Sequence, residues 1–407
     1  MKFLFLIIPV FIYAESLKSL LDFANKNSDV VISKELVQKS KAKDLESKEN
    51  SFYPTIDVGA FYQTQNEKSF MMAGDVYSTY AKLSYDIYDG GGKSSQLSQT
   101  KHEYKASGFD YEATKKSLAL QIVEDFFSIK SLKASLEAKE KASKSLEKQL
   151  IRVKRFYQAK ITTKDSVDRL QSAYDTNIYE IESLKFDTLC LNSSLELKVG
   201  KRVTSFDDSK FKKFSELDIE LSDSVKFLMA KKDALVSSAE SIDSIYYPQI
   251  RIEDSFNLYA YDRTDQTHLA GVDKQNKLIL SLNMRVFDMG TIAKTKESIL
   301  INSQALSAQV VYNKKGQKLE YDLALLRIKT NEIKIKSASS ALVSATSAFK
   351  TISKKYDARI VDNIVYLDAL TSLTSAKTLY ERSLNDLQIA YARYYFYAGK
   401  NIEEFLQ

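Results

Sequence analysis

One order of signals is written twice along this chain. Tyr53-Pro54-Thr55-Ile56 returns 194 residues later as Tyr247-Pro248-Gln249-Ile250. Three further echoes agree on a shift of 199. They are Asp89-Gly90-Gly91 with Asp288-Met289-Gly290, Tyr157-Gln158-Ala159-Lys160-Ile161 with Tyr356-Asp357-Ala358-Arg359-Ile360, and Val199-Gly200-Lys201 with Ala398-Gly399-Lys400. Four echoes in register are a duplication, with the five extra residues between Pro248 and Asp288. Only three prolines and eleven glycines punctuate 407 residues, so the elements within each copy must be long.

Each copy repeats the same internal order. Over 16–50, Leu17, Leu20, Leu21, Ala24, Val31, Leu36 and Leu45 recur at helical spacing, and Pro54 stops that helix because it lacks an N–H and disfavours a helical residue before it. The chain then alternates with period two, predicting strands at about 55–65 and 77–89, and in the second copy at about 249–261 and 276–288. A strand of about ten residues suits a tilted crossing of a bilayer, although a soluble two-sheet sandwich would use the same alternation. The helices decide between them. From 93 to about 160 nothing breaks the chain, and Leu118, Ile122, Phe126, Ile129, Leu132 and Leu136, then Leu146, Leu150, Val153 and Tyr157, keep a spacing near the coiled-coil period. Some 65 helical residues reach roughly 100 Å. A second helix returns to about 200, and the second copy supplies a matching hairpin over about 291–399. The organisation read from sequence is therefore 1–14, a first repeat at 15–204, a polar linker at 205–217 and a second repeat at 218–407.

Met1-Lys2, the apolar stretch from Phe3 to Tyr13, and Ala14 before Glu15 read as a secretory signal peptide cleaved after Ala14. The only cysteine is Cys190, so no thiol near that site can carry a lipid and no intramolecular disulfide can form. No later run of 18 apolar residues exists, so a membrane form must be built of strands. Removing Lys2 lowers the formal charge from +6 to +5, with acids and bases interspersed, which disfavours nucleic acid as a partner.

In this order of helix, Tyr-Pro before a strand, strand ending in Asp-Gly-Gly, long helix, and paired helix ending in Val-Gly-Lys, the sequence resembles the TolC family of outer-membrane efflux proteins. The resemblance covers both copies. It implies a mainly α fold with a transmembrane β-barrel part: a homotrimer whose twelve strands close one barrel in outer-membrane lipid, continued by a long α-helical barrel through the periplasm. It implies a passive exit duct without cofactor, served by a periplasmic adaptor (membrane fusion) protein and an inner-membrane pump of RND, ABC or MFS type. The outer-membrane component of a type I secretion system is the alternative within the family. A periplasmic coiled-coil adaptor or adhesin and a periplasmic enzyme are rivals outside it. The physics agrees in part, since four strands cannot close, open edges are not tolerated in lipid, and eight strands would be filled by side chains where twelve leave a channel. Two departures concern turns: Ala159 and Ala358 stand where the family often has glycine, and Met289 replaces the middle glycine of the second Asp-Gly-Gly.

Candidate chemistry is sparse. Gly90-Gly91-Gly92-Lys93-Ser94 ends like a phosphate-binding loop, but Ile87 stands where its first glycine belongs, its strand alternates, and the second copy has no Gly-Lys-Ser. His102 and His268 lie in different elements, so imidazole and Cys190 assemble no metal site or triad. Tyr53, Tyr77, Tyr80, Tyr88, Tyr246, Tyr247, Tyr259 and Tyr261 cluster near strand ends, where amphipathic rings suit a membrane interface or ordinary packing. Alternation assigns Lys82, Asp86, Arg251, Glu253, Asn283 and Arg285 to a barrel lumen and Leu83, Leu280 and Leu282 to lipid, with Pro54, Gly90, Gly91, Pro248 and Gly290 at the turns flanking the strands. The connections at 66–75 and 262–276 would then face the exterior. The resemblance implies a gate at the second helix-to-helix turn, with Asp368 and Asp362 as candidate lining acids and Tyr356, Asp357 and Arg359 around them.

Overall fold

The computed structural model describes residues 16–66, 74–213, 217–261 and 272–407. The expected signal peptide and the tips of both strand connections lie outside the described residues. Seven helices carry most of the described chain: α1 (Leu17–Asn27), α2 (Asp29–Asn50), α3 (Gly92–Gln158), α4 (Lys164–Val199), α5 (Asp223–Asp243), α6 (Thr291–Asp357) and α7 (Asn363–Tyr397). Four strands, β1 (Thr55–Thr64), β2 (Asp75–Asp89), β3 (Gln249–Tyr261) and β4 (Lys274–Asn283), form one antiparallel sheet in the order β1-β2-β3-β4. The duplication is thus visible as two hairpins of strands and two of helices, with α3 and α6 each 67 residues long.

Two differences from the sequence reading have local causes. The single helix expected over 16–50 breaks at Ser28, which is buried and extended (φ −70°, ψ 127°). The run Asn27-Ser28-Asp29 consists of residues that compete with the helix for backbone hydrogen bonds and favour caps. β4 ends at Asn283 and not near 288, so Arg285 lies past the strand.

The chain divides into two compact units. One comprises 1–35, 111–223 and 313–407, the other 36–110 and 224–312, so α3 and α6 each run through both. The core of the first unit gathers Leu17, Leu20 and Leu21 of α1, Ile122, Phe126, Phe127 and Ile129 of α3, Leu195 and Val199 of α4, and Tyr391, Tyr394 and Tyr395 of α7. The 205–213 stretch is tied to the C-terminal segment, with Phe211 bridged to Leu406 and the Lys212 amide donating to the Phe405 carbonyl at 2.9 Å. A second cluster, with Leu146, Leu150, Val153, Leu170, Tyr356, Tyr366 and Leu370, lies beside the helix-to-helix turns. The other unit holds the sheet and the helical segments adjoining it.

Candidate functional site

Two places concentrate polar groups in an ordered way, one in each unit. The first is a face of the sheet. Strand pairing sets Asp57 opposite Lys82, Lys82 opposite Ser255, and Ser255 opposite Lys277, and directly opposed residues share a face. That face carries Lys82, Ser84, Asp86, Arg251, Glu253, Ser281 and Asn283. Ion pairs lie on it or beside it: Arg251 Nε to Asp86 Oδ1 at 2.6 Å, Lys93 Nζ to Asp86 Oδ2 at 3.0 Å, and Lys82 Nζ to Glu253 Oε1 at 3.9 Å. The opposite face carries Ile56, Val58, Leu83, Tyr85, Ile252, Phe256, Leu278, Leu280 and Leu282.

Along β2 the apolar face is the exposed one. Tyr77, Thr79, Ala81, Leu83 and Tyr85 are exposed, whereas Ser78, Tyr80, Lys82, Ser84 and Asp86 are buried or half-buried. This inverts the order that water imposes on a sheet of a globular protein. Among the described residues the apolar face is interrupted by Asp254, set between Leu83 and Leu278 with one carboxylate oxygen unpartnered, by Asn276 opposite Phe256, and at the outer strand ends by Asp75 and Lys274.

The turns flanking the strands are built as the repeat requires. Pro54 and Pro248 immediately precede β1 and β3. Gly90 and Gly91 have φ of 72° and 84°; in the second copy Met289 and Gly290 take 56° and 78°, so the turn survives loss of the middle glycine. At Gly90 a Cβ would come within 2.4 Å of the Ser244 carbonyl oxygen, which explains glycine there. The preceding acid of each copy, which the sequence reading left without a role, caps the long helix. Asp89 accepts from the Gly91 and Lys93 amides, and Asp288 from those of Gly290 and Ile292. The Ile292 amide, helped by the Tyr246 hydroxyl, holds the Asp288 carboxyl below its usual range.

The second place is the pair of helix-to-helix turns. Both long helices end in a Schellman motif: the Ile161 amide donates to the Phe156 carbonyl and the Ile360 amide to the Lys355 carbonyl, each at 2.8 Å. The left-handed residues are Lys160 (φ 58°) and Arg359 (φ 61°), one position beyond the alanines that the sequence reading compared with glycine. The two turns are unequal in their surroundings. Tyr157 is 45% exposed, but its repeat Tyr356 is 6% exposed, stacked on Tyr366 with centroids 4.7 Å apart, and burial pushes its hydroxyl pKa up.

Arg152, on the first-copy helix, reaches the second-copy turn. Its Nη1 donates to Asp357 Oδ1 at 2.6 Å, its Nη2 to the Tyr356 carbonyl at 3.2 Å, and its guanidinium carbon lies 4.8 Å from the Tyr356 ring centroid. Arg359 lies 4.5 Å from the Phe156 ring centroid, and Asn363 donates to the Ser166 carbonyl at 3.0 Å. Arg152, Phe156, Tyr356, Arg359, Asp362 and Asn363 line a hollow of about 190 Å³.

The structure therefore brings Tyr356, Asp357, Arg359 and Asp362 together, and adds Arg152 and Phe156, which sequence reasoning missed. The available signal was an asymmetry in the repeat, since the counterpart of Arg152 is Thr351. Asp368 stays apart, exposed on α7. Asp362 is the N-cap of α7, accepting from the Val365 amide at 3.1 Å, a bond that its first-copy counterpart Thr163 does not make. Asp362→Ala is accordingly expected to lower stability by about 1 kcal/mol. Asp362→Asn should retain most of that stability in thermal melting, and equal losses for the two would show that the cap bond contributes nothing.

Residues 22–180 match the family model described as outer membrane efflux protein. No curated protein sequence matches the chain. Among solved structures, the Campylobacter jejuni CmeC outer membrane channel superposes with a TM-score of 0.84 at 15% identity, over 94% of this chain and 85% of that one. The Vibrio cholerae outer membrane protein VceC gives 0.80 at 13% identity, over 95% and 96%. The Neisseria gonorrhoeae MtrE outer membrane channel in its open state gives 0.79 at 15%, over 95% and 89%. At these identities the likeness is one of fold.

Proposed function

We propose, from the premise that residues 22–180 of this chain are an outer membrane efflux protein domain, that the protein is one protomer of a trimeric outer-membrane exit duct. In this reading it passively conducts substrates delivered by an inner-membrane pump and a periplasmic adaptor. The observation that carries the reading is the sheet's polarity along β2, where the apolar side chains are exposed and the polar ones, Lys82 and Asp86 among them, are buried or half-buried. Such a sheet is stable only where lipid replaces water on its outer side. Its free edges at β1 and β4 require further strands, and three copies supply twelve, enough to leave an open lumen. Lys82, Asp86, Arg251 and Glu253 then line that lumen. No helix among the described residues is long and apolar enough to cross a membrane, a criterion that does not bear on strands.

The helix-to-helix turns form the periplasmic entrance. There Asp368, exposed and with no hydrogen bond or ion pair among the described residues, is the better candidate for a ring of three carboxylates, and Asp362 contributes its charge while capping α7. Three acids at a narrow entrance attract cations. Asp368→Ala is expected to weaken block by divalent cations from the entrance side without changing oligomer stability. Planar-bilayer recordings identical to the parent protein would exclude it from the ring.

The duct itself is tested by fractionation and electrophoresis. An outer-membrane species migrating as an oligomer until heated, and conducting in planar bilayers, is expected; a soluble monomeric periplasmic product would sink the reading. A pump and adaptor encoded beside the gene would favour small-molecule efflux. An ABC exporter beside a large substrate protein would favour secretion.

A further inference from the structure

The two strand hairpins are copies in register as well as in sequence. Asp57 stands opposite Lys82 in the first, and the residues at the repeat spacing, Arg251 and Ser281, stand opposite one another in the second. The hairpins meet along β2 and β3, where Asp86 faces Arg251 and the two form an ion pair at 2.6 Å. β4 is the repeat of β2, and β1 is the repeat of β3. Both are edge strands with no neighbour on their outer side among the described residues.

We infer that the β2–β3 junction is the template for the junction between copies, so that β4 of one protomer pairs with β1 of the next with Arg285 opposite Asp57. The residues follow from the repeat spacing. Arg285 lies 199 positions after Asp86, and Asp57 lies 194 before Arg251. The ion pair recurs with its charges exchanged, the acid moving from β2 to β1 and the base from β3 to the end of β4. Asp57 and Arg285 are both exposed, and neither makes an ion pair among the described residues.

Two independent features support this register. β2 runs on to Asp89, and beyond Ser84, where β1 begins at Thr55, it has only β3 beside it. The repeat of 85–89 is 284–288, which forms no strand in a single chain. It is unpaired because its partner is β1 of another copy, and Arg285 thereby regains the lumen-facing position that alternation predicts. The second feature is stagger. Lys82 faces Ser255, but its repeat Ser281 faces Arg251, four residues back along the same strand. Closing a barrel requires such a progressive offset. Joining the edges without it would set Asp57 against Lys277, another opposite-charge pair, in untilted strands.

The inference rests on the duct reading, and its test separates the two. In a Cys190→Ser background, membranes carrying Asp57→Cys with Arg285→Cys should yield covalent dimers and trimers on oxidation, and Asp57→Cys with Lys277→Cys or with Ser281→Cys should remain monomeric. Single charge reversal, Asp57→Arg or Arg285→Asp, should lower the temperature at which the oligomer dissociates in detergent, and the double reversal should restore it. Crosslinking through Lys277 or Ser281 overturns the register and leaves the duct standing. So does no disulfide at all in membranes where a lysine-reactive crosslinker still captures oligomers. Absence of any oligomer by either reagent overturns both.

Discussion

Leu280→Arg is expected to abolish accumulation of the heat-modifiable oligomer in the outer membrane, and Asn283→Arg is not. Leu280 is 68% exposed and stands opposite Ile252 on the apolar face, whereas Asn283 stands opposite Gln249 on the polar one. A cation on the lipid side near mid-bilayer costs about 2–4 kcal/mol, and a three-fold barrel incurs that cost three times, on the order of 6–12 kcal/mol per assembly. On the lumen side the same charge stays hydrated. A slip of one residue exchanges the faces, so the pair of substitutions reads the register directly. Unboiled gels of outer-membrane fractions measure it. Equal tolerance of both changes would mean that the exposed apolar face does not meet lipid.

The architecture was legible because its determinants are local and repeated. Absence of proline gave the long helices, Tyr-Pro the starts of β1 and β3, and period-two alternation the two faces of the sheet. What escaped depends on contacts that no local pattern records. Ser28 breaks a helix whose apolar spacing continues across it. Lys160 and Arg359 adopt left-handed backbone without glycine because the Schellman hydrogen bonds fix them. β4 ends at Asn283 on an edge of the sheet, where among the described residues it has only β3 beside it. Asp89 and Asp288 could have been found as acids just before a helix start. Arg152 could not, because its partners stand more than 200 residues away and its own repeat position carries Thr351.

That distance gives Arg152→Ala the largest expected functional effect at the helix turns. Arg152 is the ionic tie between the first-copy helix and the second-copy turn at this hollow, through the Asp357 carboxylate and the Tyr356 carbonyl. Its side chain is 30% exposed and that of Asp357 55%, so the pair lies nearer a surface bridge of about 0.2–1 kcal/mol than a buried one. The carbonyl bond and the stacking on Tyr356 add to it, for a total of about 1–3 kcal/mol. If the closed entrance is the arrangement these contacts hold, losing them shifts the closed-to-open balance roughly 5–150-fold. Arg152→Lys keeps the charge but not the planar fork that reaches both acceptors, and should fall between. Arg155→Ala, three residues further along the helix and exposed, serves as the control. Planar-bilayer recordings should show greater open probability for Arg152→Ala than for Arg155→Ala at unchanged thermal stability of the oligomer. Indistinguishable traces would mean that the tie braces the turn without restraining its opening.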